Sequence, residues 1–156
     1  CGGAADPGSN RVATEGLIKY LTYDDVLNAP HEGLSLDIFH HPLRMELTHD
    51  CEIAFGDHCL LGDGVTLLSS IEQFNFDQVP AGTELGFVPL PLDQCLTLKD
   101  ANGSNRIHDF FCLAGTTLKA TQDLKLFMVT TNPEIARKDC LFYLVEAKTA
   151  VHIDPM

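Results

Sequence analysis

The chain has 156 residues, a hydrophobic fraction of 45% and nine Phe, which fit one ordinary globular domain and exclude a disordered polymer. Its net charge is −12, and apolar runs such as Leu141–Val145 are far too short to span a bilayer. Residues 1–94 carry 15 acidic and three basic side chains, whereas residues 95–156 carry seven of each. This excess of acid argues against nucleic acid as a partner, because phosphate binding needs clustered Lys and Arg. It indicates either a basic partner or a surface selected for solubility.

The first ten residues are small and polar and include three Gly and one Pro. We interpret residues 1–10 as a linker or a remnant of expression, with a flexible lead from an upstream domain as the alternative. Residues 11–156 are then expected to form a single domain. No signal peptide is found, so the chain is expected to be either cytosolic or supplied in mature form.

Residues 11–29 hold the only early segment in which a helix is predicted. Thr22 suits the N-cap, and Asp24 and Asp25 suit the positive end of a helix that starts there. Pro30 would end this helix after about two turns. Val26 and Leu27 would be its packed residues.

From residue 34 onward the apolar residues recur with a period close to two. The clearest segment is 43–53, where the odd positions are mostly apolar and the even positions are polar or charged. Alternate side chains of a strand point to opposite faces, so this pattern predicts one half-buried strand of an antiparallel sheet. Glu46, Asp50 and Glu52 would then share its solvent face.

Shorter segments with the same alternation follow along the chain. The predicted strands are Val65–Leu68, Thr83–Phe87, Cys95–Lys99, Arg106–Leu113, Thr117–Ala120, Leu124–Thr131, Cys140–Val145 and Val151–Ile153. Cys95–Lys99 and Arg106–Leu113 flank an Asn-Gly turn and are predicted to form a hairpin. Asn132-Pro133-Glu134 predicts a short helix capped by Asn132. About ten short strands and one or two short helices predict an all-β fold, an antiparallel β-sandwich.

The cysteines and one sequon bear on the cellular compartment. Without Cys1 the number of Cys is odd and fits two disulfides plus a leftover thiol, and the sequence does not choose among the pairings that six Cys allow. Their spacing matches no zinc signature. Asn102-Gly103-Ser104 is a sequon in a predicted turn, so Asn102 is a candidate for N-glycosylation. Together these features favour secretion.

Catalytic motifs were sought among the His, Ser and Asp residues. His49-Asp50 and Asp57-His58 flank the Cys51–Cys59 segment, which either holds a metal or a nucleophile or, as we prefer, is a turn stapled by a disulfide. No Gly-x-Ser-x-Gly elbow, phosphate loop or dinucleotide fingerprint occurs. We therefore expect no enzymatic activity, no cofactor and no metal. A lectin-like or other β-sandwich binding module is the first alternative, and a metal-dependent hydrolase using these His and Asp residues is the second.

The acidic residues predict a binding surface for a basic protein. Glu46, Asp50 and Glu52 repel one another on one strand face, and no Lys or Arg occurs between Arg44 and Lys99 to offset them locally. Such a face would steer a basic macromolecule. Glu84 would extend it if its strand is a neighbour. Apolar anchors are expected to supply most of the affinity, and the candidates, in an otherwise polar segment, are Phe74 and Phe76.

Three longer segments resemble a known family. Ser70–Phe76, Gln78–Thr83 and Cys140–Lys148 are similar to the SECRET (smallpox virus-encoded chemokine receptor) domain, the C-terminal domain of poxviral soluble tumour-necrosis-factor receptor homologues. The resemblance covers roughly residues 11–156. It rests on whole segments, because the family has no catalytic signature to compare.

The resemblance implies a secreted decoy domain that binds host chemokines and keeps them from their receptors. It also implies a sandwich like that of the poxviral secreted chemokine-binding proteins and an upstream cytokine-binding region in the full-length protein. Chemokines are small and mostly basic, which agrees with the sign of the predicted acidic face. Individual contact residues are not carried over from the family.

Overall fold

The computed structural model describes residues 7–22, 36–39, 41–146 and 150–153. The chain divides into two units, Cys1–Leu36 with Ile153–Met156, and Asp37–His152. In the first unit, helix α1 spans Pro7–Thr22, and Arg11 and Glu15 form an ion pair of 3.8 Å along it. The helix thus ends at Thr22, where a helix was predicted to begin. The predicted packing residues Val26 and Leu27 lie outside the described residues.

Twelve short strands are described. They are β1 (Leu36–Phe39), β2 (Leu43–Leu47), β3 (Ile53–Phe55), β4 (Val65–Leu67), β5 (Gln78–Val79), β6 (Glu84–Phe87), β7 (Leu96–Lys99), β8 (Phe111–Ala114), β9 (Thr117–Ala120), β10 (Leu124–Phe127), β11 (Phe142–Glu146) and β12 (Ala150–Ile153). The helices that accompany them are short: a 3₁₀ helix (Ser69–Phe74), α2 (Leu92–Cys95), α3 (Ile107–Phe110) and α4 (Pro133–Lys138).

Ten of these strands form two five-stranded sheets. The first sheet has the order β5-β10-β11-β2-β7, and all its pairs are antiparallel. The second has the order β3-β4-β6-β9-β8. Its β3–β4 pair is parallel and the others are antiparallel, so the predicted antiparallel sandwich is confirmed, with one parallel pair at its edge. Strands β1 and β12 pair in a separate two-stranded sheet.

The two five-stranded sheets share one apolar core, as the predicted all-β sandwich requires. Alternate residues of β2, β10 and β11 point inward, and Met45, Leu126 and Leu144 are fully buried. Phe142 of the first sheet meets Phe111 of the second, with ring centroids 6.4 Å apart. Burial of such large side chains, about 1.5–3 kcal/mol each, is the main term that stabilises the sandwich.

Several local predictions are confirmed. Strands β4, β6, β9 and β11 fall where the alternation places them. Helix α4 begins as predicted, because the Asn132 side chain accepts the N–H of Glu134 at 2.9 Å and Pro133 occupies the first turn. β11 is the central strand of its sheet, which explains why Cys140–Val145 is apolar on both faces.

Two predictions that span longer segments are wrong. The segment 43–53 is not one strand, because β2 ends at Leu47, a turn follows at His49 and Asp50, and β3 begins in the other sheet. The predicted hairpin is also absent from the described part of the chain, since β7 and β8 belong to different sheets. In each case the chain crosses between sheets. Helix α3 (Ile107–Phe110) also takes the place of the first half of the predicted strand Arg106–Leu113, and β8 begins only at Phe111.

Candidate functional site

Glu46 lies on the outer face of β2 between two cations. Its carboxylate is 2.6 Å from Nζ of Lys99 on the neighbouring strand and 3.1 Å from Nε of Arg44, and the side chain is only 18% exposed. Lys99 is 53 residues away in the sequence. The charge of Glu46 is therefore compensated within the sheet, although no basic residue follows it locally along the chain.

Arg44 extends this group of charges. Its guanidinium donates to Asp139 at 2.7 Å, and its Nε faces Glu46 without the angle of a hydrogen bond. Burial lowers the pKa of Arg44, but the negative charge of Glu46 and the neighbouring Tyr143 more than offset this, so the pKa is raised overall. The outer face of β2 is thus a compensated ionic network, not an acidic surface.

Asp50 and Glu52 lie in the segment that crosses from β2 to β3. Asp50 is almost fully exposed and has His49 beside it, with Nδ1 and Oδ1 3.1 Å apart. Glu52 accepts a hydrogen bond from Arg137 of α4. A depression of about 330 Å³ is lined here by Asp50, Glu52 and Arg137 together with Cys51 and its neighbours.

Glu84 lies in the second sheet and is remote in topology from Glu46. It is opposite Lys119 in the β6–β9 register, and the two charged groups are 3.0 Å apart. The four predicted acidic residues therefore do not share one strand face, and three of them form ion pairs with cations. Whether they contact a partner remains a prediction.

The two predicted apolar anchors have different environments. Phe74 ends the 3₁₀ helix and packs, half-buried, against the core. Phe76 is 57% exposed, and its backbone has a φ of +63°. Its N–H donates to the carbonyl of Leu126 at 2.8 Å, so the segment is fixed against β10. Of the two, only Phe76 is available to a partner.

Met128 is the residue that sequence reasoning missed. It directly follows β10, is 65% exposed, and has a φ of +51°. The ring of Phe127 meets that of Phe76 edge-on, with centroids 6.0 Å apart. Asn75 joins the two segments, because its side chain accepts the N–H of Val129 at 3.1 Å. We call Phe76, Phe127 and Met128 the Phe76–Met128 patch, in which Phe76 and Phe127 are in ring contact and Met128 is included as the residue next to Phe127 in the chain.

Both exposed residues of the patch hold a conformation that L side chains rarely adopt. The left-handed region costs a non-glycine residue about 1–2 kcal/mol, and persists only where the surroundings enforce it. Here the hydrogen bonds of Phe76 and Asn75 to the β10 segment supply that constraint. Two large apolar side chains are therefore presented to solvent from hydrogen-bonded, left-handed backbone at an energetic cost.

Acidic side chains flank the patch along the chain. Glu72 and Asp77 are exposed, and neither forms an ion pair within the described ranges. The Asp77 carboxylate accepts the N–H of Gln78 at 2.7 Å, which holds it beside Phe76. The patch thus has two exposed acidic side chains beside it in the chain, neither of them in an ion pair of the kind that Glu46 forms on the outer face of β2.

The remaining candidates are placed as follows. Asn102 is exposed in a turn that the Asp100 carboxylate stabilises by accepting the N–H groups of Asn102 and Ser104, each at 2.9 Å. His58 is exposed on the loop after β3. Over the described ranges no group of three or more His, Cys, Asp or Glu is arranged to hold a metal ion. Within those ranges, too, no helix has the length and apolar character needed to cross a bilayer.

The chain was compared with protein-family models, with curated proteins and with solved structures, and no match was found in any of the three comparisons.

Proposed function

We propose that this is a secreted, non-enzymatic binding domain that captures basic chemokines through the Phe76–Met128 patch. The observation that carries the proposal is the exposure of Phe76 and Met128 on constrained left-handed backbone. Strain of this kind clusters at binding and active sites, where it presents a group to a partner. Exposed large apolar side chains are the typical anchors of protein interfaces.

The exposed area of Phe76 is large enough to contribute substantially to the free energy of binding. A Phe side chain buries about 150–250 Å² when it is covered, and 57% of Phe76 is exposed. Covering about 100 Å² of apolar surface corresponds to about 2–3 kcal/mol before the costs of association. Phe76 alone would therefore change affinity by one to two orders of magnitude.

Charge supports a basic partner at this location. Glu72 and Asp77 flank the anchor without cations of their own in the described chain, and the whole chain carries −12. Uncompensated charge at an interface rim mainly raises the association rate. Ser70–Phe76 and Gln78–Thr83, which carry the resemblance to the SECRET family, also build the segment around Phe76. The family resemblance is what names chemokines as the basic partner.

The contribution of Phe76 to affinity can be tested by surface plasmon resonance against a panel of chemokines. We expect Phe76→Ala to weaken binding at least about tenfold, mainly through faster dissociation. Ile135→Ala is the matched control, since Ile135 is 49% exposed on α4, outside the patch. Equal affinity of both variants and the parent would overturn the assignment of the patch. No binding by the parent to any chemokine would overturn the proposed function itself.

The contribution of the acidic residues to binding can be tested by measuring association rates at low and at physiological salt. Asp77→Asn is expected to slow association and reduce its salt dependence more than Asp93→Asn, an equal change of charge on α2. Asp50→Asn tests the original acidic-face prediction in the same way. If Asp50→Asn has the large effect and Asp77→Asn does not, the partner binds at the β2–β3 crossing instead.

Secretion is part of the proposal and is supported by the exposed sequon. Expression behind a signal peptide should yield a glycosylated protein whose gel mobility shifts after removal of N-glycans. Asn102→Gln should abolish that shift without altering chemokine binding, because the Asp100–Ser104 turn is distinct from the patch. An unshifted parent protein would contradict use of this sequon.

A further inference from the structure

We propose that Cys51 and Cys95 form a disulfide bond when the protein folds under oxidising conditions. The bond would join the segment between β2 and β3 to the end of α2. It is independent of the proposed chemokine-binding function. It also differs from the Cys51–Cys59 pairing that the sequence suggests.

Backbone geometry brings the two cysteines together. The β2–β7 register pairs Leu47 with Leu96, and it continues by one residue, because the N–H of Thr48 donates to the carbonyl of Cys95 at 2.9 Å. The Thr48 hydroxyl also donates to the carbonyl of Gln94 at 2.5 Å. The chain then reverses in a turn in which the N–H of Cys51 donates to the carbonyl of Thr48 at 3.2 Å. This turn returns Cys51 to the position beside Cys95.

Both side chains are shielded from solvent. Cys95 is near enough to affect the ionisation of the Cys51 thiol, and the residues are 9% and 0% exposed. In this structure the Cys51 thiol donates to the carbonyl of Glu52 at 3.6 Å. Burial, followed by the effect of Cys95, raises the pKa of the Cys51 thiol to about 12. A disulfide requires two cysteines whose backbones are already close, and the hydrogen bonds that tie Thr48 to Cys95 and Cys51 to Thr48 supply that proximity.

The other described cysteines have different surroundings. Cys59 is exposed and its thiol donates to the carbonyl of Leu61 at 3.2 Å, so it faces its own loop. Cys112 is exposed on β8, in the second sheet. Cys140 is buried beside Arg44 and Asp139. All five described cysteines are thiols in this structure.

The reaction requires a two-electron oxidant. With oxidised glutathione, one cysteine thiolate attacks a glutathione sulfur and releases one reduced glutathione. The second thiolate then attacks the protein sulfur of the mixed disulfide, forms the Cys51–Cys95 bond and releases the second. The two thiol protons leave with the two reduced glutathione molecules. Because Cys95 is inaccessible in the folded state, the bond must form during folding.

Peptide mapping under non-reducing conditions is the direct test. Trypsin is unsuitable, because the absence of Lys and Arg between Arg44 and Lys99 leaves Cys51, Cys59 and Cys95 in one peptide. Cleavage after glutamate separates them into the peptides 47–52, 53–72 and 85–134. Peptide 85–134 also contains Cys112, so a Cys112→Ser variant, refolded with oxidised glutathione and alkylated, has one cysteine in each of the three peptides.

We expect peptide 47–52 to be linked to peptide 85–134. Its linkage to 53–72 or to any other peptide would overturn the proposal, as would an alkylated, unlinked Cys51.

Thermal unfolding supplies the second measurement. The bond closes a loop of 45 residues from Cys51 to Cys95, which predicts a melting temperature about 10 °C higher after oxidative refolding than after refolding with a reductant. Cys59→Ser should keep this difference and Cys51→Ala should remove it. A difference that survives in Cys51→Ala would show that another pair of cysteines is responsible.

Discussion

Because the backbone of the Phe76–Met128 patch is left-handed, we predict which of two variants, Gly or Ala, is the more stable there. At an ordinary position, Gly is less stable than Ala by about 0.5–1 kcal/mol, because Gly loses more backbone freedom on folding. Met128 has a φ of +51°, where a residue with a Cβ incurs about 1–2 kcal/mol that Gly avoids. The difference predicts that Met128→Gly is more stable than Met128→Ala by about 0.5–1 kcal/mol.

Comparison of the two variants removes the uncertain contribution of the side chain itself. Met128 is 65% exposed, and both substitutions delete the same apolar contacts beyond Cβ. Ile135 is the matched control, because it is also an exposed apolar residue but lies in helix α4. There the ordinary order should hold, with Ile135→Ala more stable than Ile135→Gly by about 1 kcal/mol.

Urea unfolding with linear extrapolation is the assay, with equal m-values required for each pair. The expected result is a reversal of the Gly–Ala order between residues 128 and 135. Phe76, with a φ of +63°, should behave as Met128 does. If Ala is more stable than Gly at both patch residues, the backbone there is not left-handed in solution. The inference that strain maintains the patch would then fail.

Three further predictions concern stability. Asn132→Ala should lower the free energy of unfolding by about 1 kcal/mol, because the Glu134 N–H loses its cap, whereas Asn132→Asp should behave like the parent in urea. Gly86→Ala should cost about 1–3 kcal/mol, since a Cβ there would lie 2.3 Å from the carbonyl oxygen of Thr66, and a parent-like urea midpoint would contradict this close approach. Under reducing conditions, stability should fall between about pH 9 and about pH 12, because unfolded Cys51 ionises from about pH 9 while the folded thiol keeps its proton. Cys51→Ala should show a shallower decline over the same range of pH.

The segment 43–53 shows what apolar-polar alternation can predict and what it cannot. A period of two reports that alternate side chains are buried, and it continues across a tight turn when the next strand packs on the same core. Leu43, Met45, Cys51 and Ile53 are buried, as predicted, whereas His49, on the same predicted face, is fully exposed in the turn. The alternation does not report that the first two belong to one sheet and Ile53 to the other.

The sequence also could not predict which acidic side chains form ion pairs. Arg44, one of the two cations at Glu46, lies two positions before it in the sequence. Lys99 and Arg137, which pair with Glu46 and Glu52, lie 53 and 85 residues later in the chain. A charge count over neighbouring residues cannot include them, because strand pairing and the position of α4 bring them close. Acids for which the described part of the chain supplies no such partner, Glu72 and Asp77 among them, look no different in the sequence.

The amino-acid sequence by itself determined the all-β class, the local strands such as β4, β6, β9 and β11, and the Asn132 cap of α4. These depend on interactions between residues a few positions apart, which a linear pattern contains. Only the tertiary structure decided how the strands divide between two sheets, which acids are compensated, which of Phe74 and Phe76 is exposed, and that Cys51 meets Cys95. Those features depend on contacts between distant parts of the chain, and the folded arrangement alone selects them.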